Sequence, residues 1–440
     1  MPTFSNQGSA YKQFRLIAFG LNNNHLKTSG EHNLKTRTST IASGMLGGAL
    51  AVAMAFASAA EKQLTLGLND SLTGPGAVYG LPQANAVRMA AEEINAKGGI
   101  KAGGDTYKLN VIAYDDKANP TEGTNAVRKL IDRDSAQYIV GFCCSGPTSA
   151  VASFIGKEKV LMLVGNAAER SITTLGVPNL LRTRPPADFT GAAAGTFVAS
   201  KGAKNIAVIG SLDVGFYTQY LEAFEREFVK GGGKIIAKET FGLKDRDMTP
   251  QLTKVRALNP DAILVLGYIE PAAFVYRQSV EMGMKVARYG FTSGSEEQFL
   301  RVATTEQMEG VWDLRPTELT LEALGTTAKT YVANYTKKYG TPPSPSSPYA
   351  YDQVYVLKNA IEAAGSASDP LKVAAAAFKI GVPKEAVMKY LPVAGMMFDQ
   401  NGQAYTSNGA FQWQKGKWIY VQDLPSDPAA YSTYLRGLRK

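Results

Sequence analysis

Leu64-Thr65-Leu66-Gly67-Leu68 opens onto the loop Ser71-Leu72-Thr73-Gly74-Pro75-Gly76-Ala77-Val78-Tyr79-Gly80, and the chain continues into residues 84–96, stopped by Gly98-Gly99. The first run is short and apolar, as a buried strand requires. In the second, Ala86, Val87, Ala90 and Ile94 recur at helical spacing on one face. Strand, loop and helix in that order form the unit of a parallel sheet, because parallel neighbours need a crossover. The unit repeats: residues 109–114, 138–142 and 160–164 read as strands, with helices over 121–131 and 148–155. After Pro185-Pro186 it resumes, with strands at 206–209, 234–237, 262–266 and 287–291 and helices at 217–229 and 272–282. Two such runs predict an α/β chain of two doubly wound parallel-sheet lobes. Residues 319–339 and 349–364 read as further helices. Between them, Thr341-Pro342-Pro343-Ser344-Pro345-Ser346-Ser347-Pro348 is expected to be an extended surface connection. From Met396 the pattern turns strand-like, with Asn401-Gly402 as a hairpin signal.

The N-terminal 60 residues stand outside this pattern. Residues 1–33 are polar and read as an upstream extension. Lys35 and Arg37 precede an uncharged stretch over residues 41–56, followed by Ala57-Ser58-Ala59-Ala60. A basic region, an apolar core and small residues at the end form a secretory signal peptide, expected to end near Ala59 or Ala60. The alternative is a membrane anchor, for which this Ala- and Gly-rich stretch falls short of about 20 strongly apolar residues. Residues 1–60 carry five bases and one acid, so about +5 of the net +9 remains on the rest. Its charges are interspersed, which argues against nucleic acid as a partner.

Both histidines, His25 and His32, also fall in this segment. The remainder therefore has no Ser-His-Asp or Cys-His nucleophile system, no histidine base and no histidine metal ligand. The two cysteines, Cys143 and Cys144, are adjacent, an arrangement that strains a disulfide, and they read as small buried hydrophobes. Neither a phosphate-binding loop nor a dinucleotide fingerprint is present. No cofactor and no metal are expected.

In open α/β sheets, ligands bind where loops converge at the carboxyl ends of strands. The loop carrying Tyr79 suits a side chain that closes over a ligand, or else is a plain turn. Cys144-Ser145-Gly146-Pro147-Thr148-Ser149 precedes a helix; its N–H groups and hydroxyls favour an anion, or merely cap the helix. Gly165-Asn166-Ala167-Ala168 offers an amide, equally at home in a turn. Gly267-Tyr268-Ile269-Glu270 and Thr292-Ser293-Gly294-Ser295 occupy matching junctions in the second run, where Tyr268 is either a ligand contact or a rim residue of the core.

The block ending Glu92-Glu93-Ile94-Asn95-Ala96-Lys97-Gly98-Gly99-Ile100 resembles the branched-chain amino-acid-binding proteins of bacterial ABC importers. Tyr114-Asp115-Asp116, Tyr138-Ile139-Val140-Gly141, Arg277-Gln278 and Phe398-Asp399-Gln400-Asn401-Gly402 look like later landmarks of that family. The resemblance covers residues 64–421. It implies a type I periplasmic-binding fold whose lobes are joined by three crossovers, near Arg182-Thr183, Trp312-Asp313 and Phe398. The expected division is 61–182 with 313–397 as lobe 1, and 183–312 with 398–440 as lobe 2. It further implies a monomeric periplasmic receptor, without catalysis, that closes on a small ligand (an amino acid, carboxylate or amide) and docks on a membrane permease.

Residue by residue, Tyr79 matches the family's first-loop tyrosine, Ser145 its carboxylate-binding hydroxyl and Tyr268 its second-lobe tyrosine. Asn166-Ala167-Ala168 replaces an Ala-Ala-Thr stretch, and Phe216 stands in for a loop tyrosine. Cys144 matches one half of the family's disulfide, whose other half aligns with Ala118. The acidic residue that holds the ligand ammonium aligns with Thr292. A desolvated ammonium without a countercharge costs on the order of several kcal/mol. The expectation is therefore a carboxylate or amide lacking an ammonium group, unless Glu270, Asp213, Glu296 or Glu297 supplies a displaced acid. Two rival classes carry less support: a ligand sensor for a membrane signalling partner, and an α/β hydrolase-type enzyme.

Overall fold

Leu64, Leu66 and Leu68 are buried in the central strand of a six-stranded sheet, and the strand's intervening residues face a second apolar layer on the other side. The computed structural model describes residues 61–316 and 325–437. The expected signal peptide, residues 1–60, and the chain over residues 317–324 lie outside the described residues.

The first sheet contains β1 (Glu61–Asp70), β2 (Ile100–Ala102), β3 (Asp105–Asp115), β4 (Tyr138–Gly141), β5 (Leu161–Val164) and β6 (Leu180–Arg182), in the order β2-β3-β1-β4-β5-β6. Every pair is parallel except the β2–β3 hairpin. One face packs against helices Ala77–Ala96 and Pro348–Ala364, through Val87, Ala90, Ile94, Val354 and Leu357. The other packs against Pro120–Asp132 and Ser145–Ile155, through Val127, Leu130 and Val151. Strands buried on both faces read as continuous apolar runs, which is why they were visible in the sequence.

The second sheet contains β7 (Asn205–Gly210), β8 (Lys234–Thr240), β9 (Ala262–Leu266), β10 (Ala287–Phe291), β11 (Trp312–Pro316), β12 (Asn408–Gln414) and β13 (Lys417–Leu424), in the order β13-β12-β11-β10-β9-β7-β8. Its core of parallel strands, β8-β7-β9-β10, repeats the β3-β1-β4-β5 arrangement of the first. In each sheet the strand order reverses beside the first strand, and there the loops splay apart to leave a crevice.

Two crossovers run side by side. Arg182 donates its N–H to the Gly402 carbonyl, and Ala404 donates to the Arg182 carbonyl. Phe398 and Ala404 pack in the first lobe's core, whereas β11 stays in the second sheet as far as Pro316.

Two local expectations are corrected. Residues 343–348 are buried rather than on the surface, because Ser347 Oγ bonds both the Ser344 carbonyl and the Tyr331 hydroxyl and so satisfies the turn internally. Asn401-Gly402 turns the chain within the Asp399–Gln403 loop, without flanking strands. The hairpin lies at Lys415-Gly416 instead, where both residues have positive φ (51° and 84°), as a two-residue primed turn demands.

Candidate functional site

The carboxyl ends of β1, β4 and β5 face those of β7, β9 and β10 across a narrow, partly open cavity of about 30 Å³. Of the predicted residues, Tyr79, Ser145, Asn166, Ala168, Phe216, Tyr268 and Thr292 line it. Ala167 does not. Its side chain is buried in the first lobe's core, its carbonyl accepts from Arg182 Nη1 and its N–H donates to the Phe142 carbonyl. Alternation explains this: the two residues flanking Ala167 face the cavity, so Ala167 faces away.

Tyr79 joins the lobes. Its hydroxyl donates to the Thr292 carbonyl at 3.1 Å, and its ring meets Tyr268 edge-on at 5.5 Å. Burial pushes the Tyr79 phenol well above the ordinary tyrosine range, so it remains a donor. Beside it, Gln298 Nε2 donates to the Val78 carbonyl at 3.0 Å. The conformation is therefore closed.

Ser145 sits at the start of its helix, where its Oγ accepts from the Ala168 and Glu169 N–H groups, both at 3.2 Å. Those two bonds occupy its lone pairs and leave its own proton to donate. Asn166 Oδ1 and Ser293 Oγ are buried without a partner among the described residues. Ser293 also holds a left-handed backbone (φ 56°), a strained geometry for a non-glycine residue.

Thr292 is not an open position awaiting an acid. Its N–H and Oγ1 both donate to Asp313, at 2.9 Å each. Asp313 is 1% exposed, lies behind the cavity wall and also accepts from Ser293 N–H and Arg315 Nη1. The displaced acids considered above are elsewhere. Glu270 is exposed and pairs with Arg246, Glu297 pairs with Arg301, Glu296 accepts from Trp418 N–H, and Asp213 is exposed. None lines the cavity.

Cys143 and Cys144 are free and buried, as their apolar reading suggests, yet both reach the cavity wall, with sulfurs 2.8 Å apart. Behind them, Asp70 accepts from the Cys143 and Ser71 N–H groups. Burial, reinforced by Asp116, pushes Asp70 up to about 8.

Two cavity residues escaped the sequence reading, Phe291 and Arg184. Arg184 occupies the first crossover, next to Pro185-Pro186. A basic residue in the short segment between a buried strand and a largely apolar helix was the available signal.

A family profile described as periplasmic binding protein matches residues 63–417. The chain belongs to that family. It is accordingly a solute-binding protein rather than an enzyme, of a family that works in the periplasm. Among curated relatives, the Leu/Ile/Val-binding protein BraC3 of Rhizobium johnstonii is 28% identical over 409 residues, covering 88% of this chain and all of that protein. Among solved structures, the branched-chain amino acid transporter substrate binding protein LivJ of Streptococcus pneumoniae, in complex with isoleucine, has a TM-score of 0.72 at 24% identity, covering 82% of this chain and 99% of that one. An ABC transporter solute binding protein from R. palustris, in complex with benzoate, has a TM-score of 0.71 at 18% identity, covering 83% and 98%. At these identities the solved structures speak for the fold.

Proposed function

We propose that this periplasmic binding protein is the receptor of an ABC importer, capturing a small carboxylate or amino-acid-like ligand between its lobes and delivering it to the membrane permease as a monomer. The observation that carries this reading is the cavity at the switch points of both sheets, latched by Tyr79 on the Thr292 carbonyl. A crevice between lobes, lined by aromatic side chains with a few polar groups, is typical of small-molecule sites. The relatives support the class of ligand: BraC3 is named for leucine, isoleucine and valine, and proteins of this fold hold isoleucine in one case and benzoate in another.

A thermal-shift screen of the purified protein against amino acids, aliphatic and aromatic carboxylates, and amides tests it. A ligand at a hundredfold its dissociation constant adds about 2.7 kcal/mol of stability, enough to raise Tm by several degrees. Silence across every class would contradict the receptor reading. A sensor for a membrane signalling partner would use the same cavity. Deletion separates the two, because loss of uptake of the ligand marks a transport receptor.

A further inference from the structure

Among the described residues, Arg184 is the one guanidinium that lines the cavity, and it is only 4% exposed. Its Nη1 donates to the Asn166 carbonyl at 2.9 Å and its guanidinium carbon lies 5.3 Å from the centre of the Phe291 ring. Its Nε is buried without a partner, and no carboxylate of the described residues pairs with it. The other buried arginines behave differently: Arg315 pairs with Asp313, and Arg182 is surrounded by Gln403, Thr173 and backbone carbonyls. A desolvated cation facing a cavity is unfavourable until something supplies its countercharge.

Two of the remaining unsatisfied groups agree, and Asn166 Oδ1 is a lone acceptor that suits a hydroxyl or N–H of the ligand. The Ser145 and Ser293 hydroxyls are donors without an acceptor among the described residues. The neighbouring carboxylates are all engaged from behind. Asp313 is held by Arg315, Thr292 and Ser293, Glu169 by the Ser149 and Ser171 hydroxyls, and Asp70 by the Ser71 and Cys143 N–H groups. An ammonium would therefore meet a cation and no free acid. Around this pole the walls are aromatic: Tyr79 and Tyr268 form one edge-on pair, and Phe216 and Phe291 another at 5.1 Å. Flat faces of this kind select a planar apolar body.

Accepting the receptor reading, we infer that the ligand is an aromatic carboxylate without an ammonium group, its carboxylate held by Arg184 and its ring between the Tyr79–Tyr268 and Phe216–Phe291 pairs. Arg184 is thus the residue that would set specificity for a ligand carboxylate.

Calorimetric titration of the purified protein with benzoate, 4-hydroxybenzoate, phenylacetate, cyclohexanecarboxylate, benzamide, L-phenylalanine and L-leucine tests the inference without mutation. At least one aromatic acid binds more tightly than cyclohexanecarboxylate, benzamide and both amino acids. Loss of a charge-assisted contact costs roughly 10–100-fold, which sets the expected gap between benzoate and benzamide. Arg184→Gln lowers affinity for the acids by a similar factor while leaving benzamide unchanged, and Arg184→Lys restores part of it. If leucine or phenylalanine binds more tightly than every aromatic acid, the inference falls and the receptor survives. If no compound in this series or the broader screen binds, the receptor reading falls with it.

Discussion

The Tyr79 hydroxyl donates to the Thr292 carbonyl of the opposite lobe, which on the proposed receptor reading ties ligand capture to lobe closure. Tyr79→Phe keeps the ring against Tyr268 and removes only that bond. A neutral hydrogen bond contributes about 0.5–1.5 kcal/mol net, so affinity for whichever ligand binds is expected to fall about two- to tenfold by titration. Unchanged affinity would show that Tyr79 acts by packing alone. At this scale the sequence pointed to most of the cavity wall, because loops at strand ends can be located from periodicity. It could not reveal Arg184 or the engagement of Thr292 by Asp313. Both depend on partners distant in sequence, across a crossover in one case and between strands β10 and β11 in the other.

Helix Ala187–Ser200 crosses helix Tyr217–Lys230 at close range. A Cβ on Gly195 would lie 2.3 Å from the Phe224 carbonyl oxygen, and one on Gly191 2.4 Å from that of Tyr220. Backbone cannot yield there as a side chain would, so Gly195→Ala is expected to destabilise by roughly 1–3 kcal/mol in denaturant titration. Asp352, in helix Pro348–Ala364, offers a pH test. It accepts from the Val387 and Met388 N–H groups, and burial pushes it up to about 7. The folded protein thus binds this proton more tightly than the unfolded chain does. Between about pH 4 and pH 7 the group's contribution is fully present at the acid end and is lost as pH rises, by up to roughly 1.4 kcal/mol per pH unit. Asp352→Asn is expected to be less stable than wild type at pH 5, and to close the gap by pH 7.5. A gap that stayed constant would show that Asp352 remains ionised throughout. The elements themselves were largely legible, since doubly buried strands leave continuous apolar runs. The β2–β3 hairpin was only half seen, because β2 spans three residues and carries little periodicity. The turn over residues 343–348 was misjudged because its polar composition hides the Ser347 hydroxyl bonded to Tyr331 and to the Ser344 carbonyl.

For the whole molecule, the account rests on a cavity between two lobes that open to admit a ligand and close upon it. The paired crossovers are tied by Arg182 to Gly402 and Ala404, and on the proposed receptor reading the lobes would rotate about them. The two-lobed organisation followed from the repeat of one strand-helix pattern; how far the lobes close depends on contacts such as Gln298 to Val78 that no local pattern encodes. Small-angle X-ray scattering of the purified protein, free and saturated with the tightest-binding compound of the series above, tests this directly. The radius of gyration is expected to fall on saturation, as an open population converts to the closed form. Scattering that stays unchanged while calorimetry records full occupancy would contradict capture by closure.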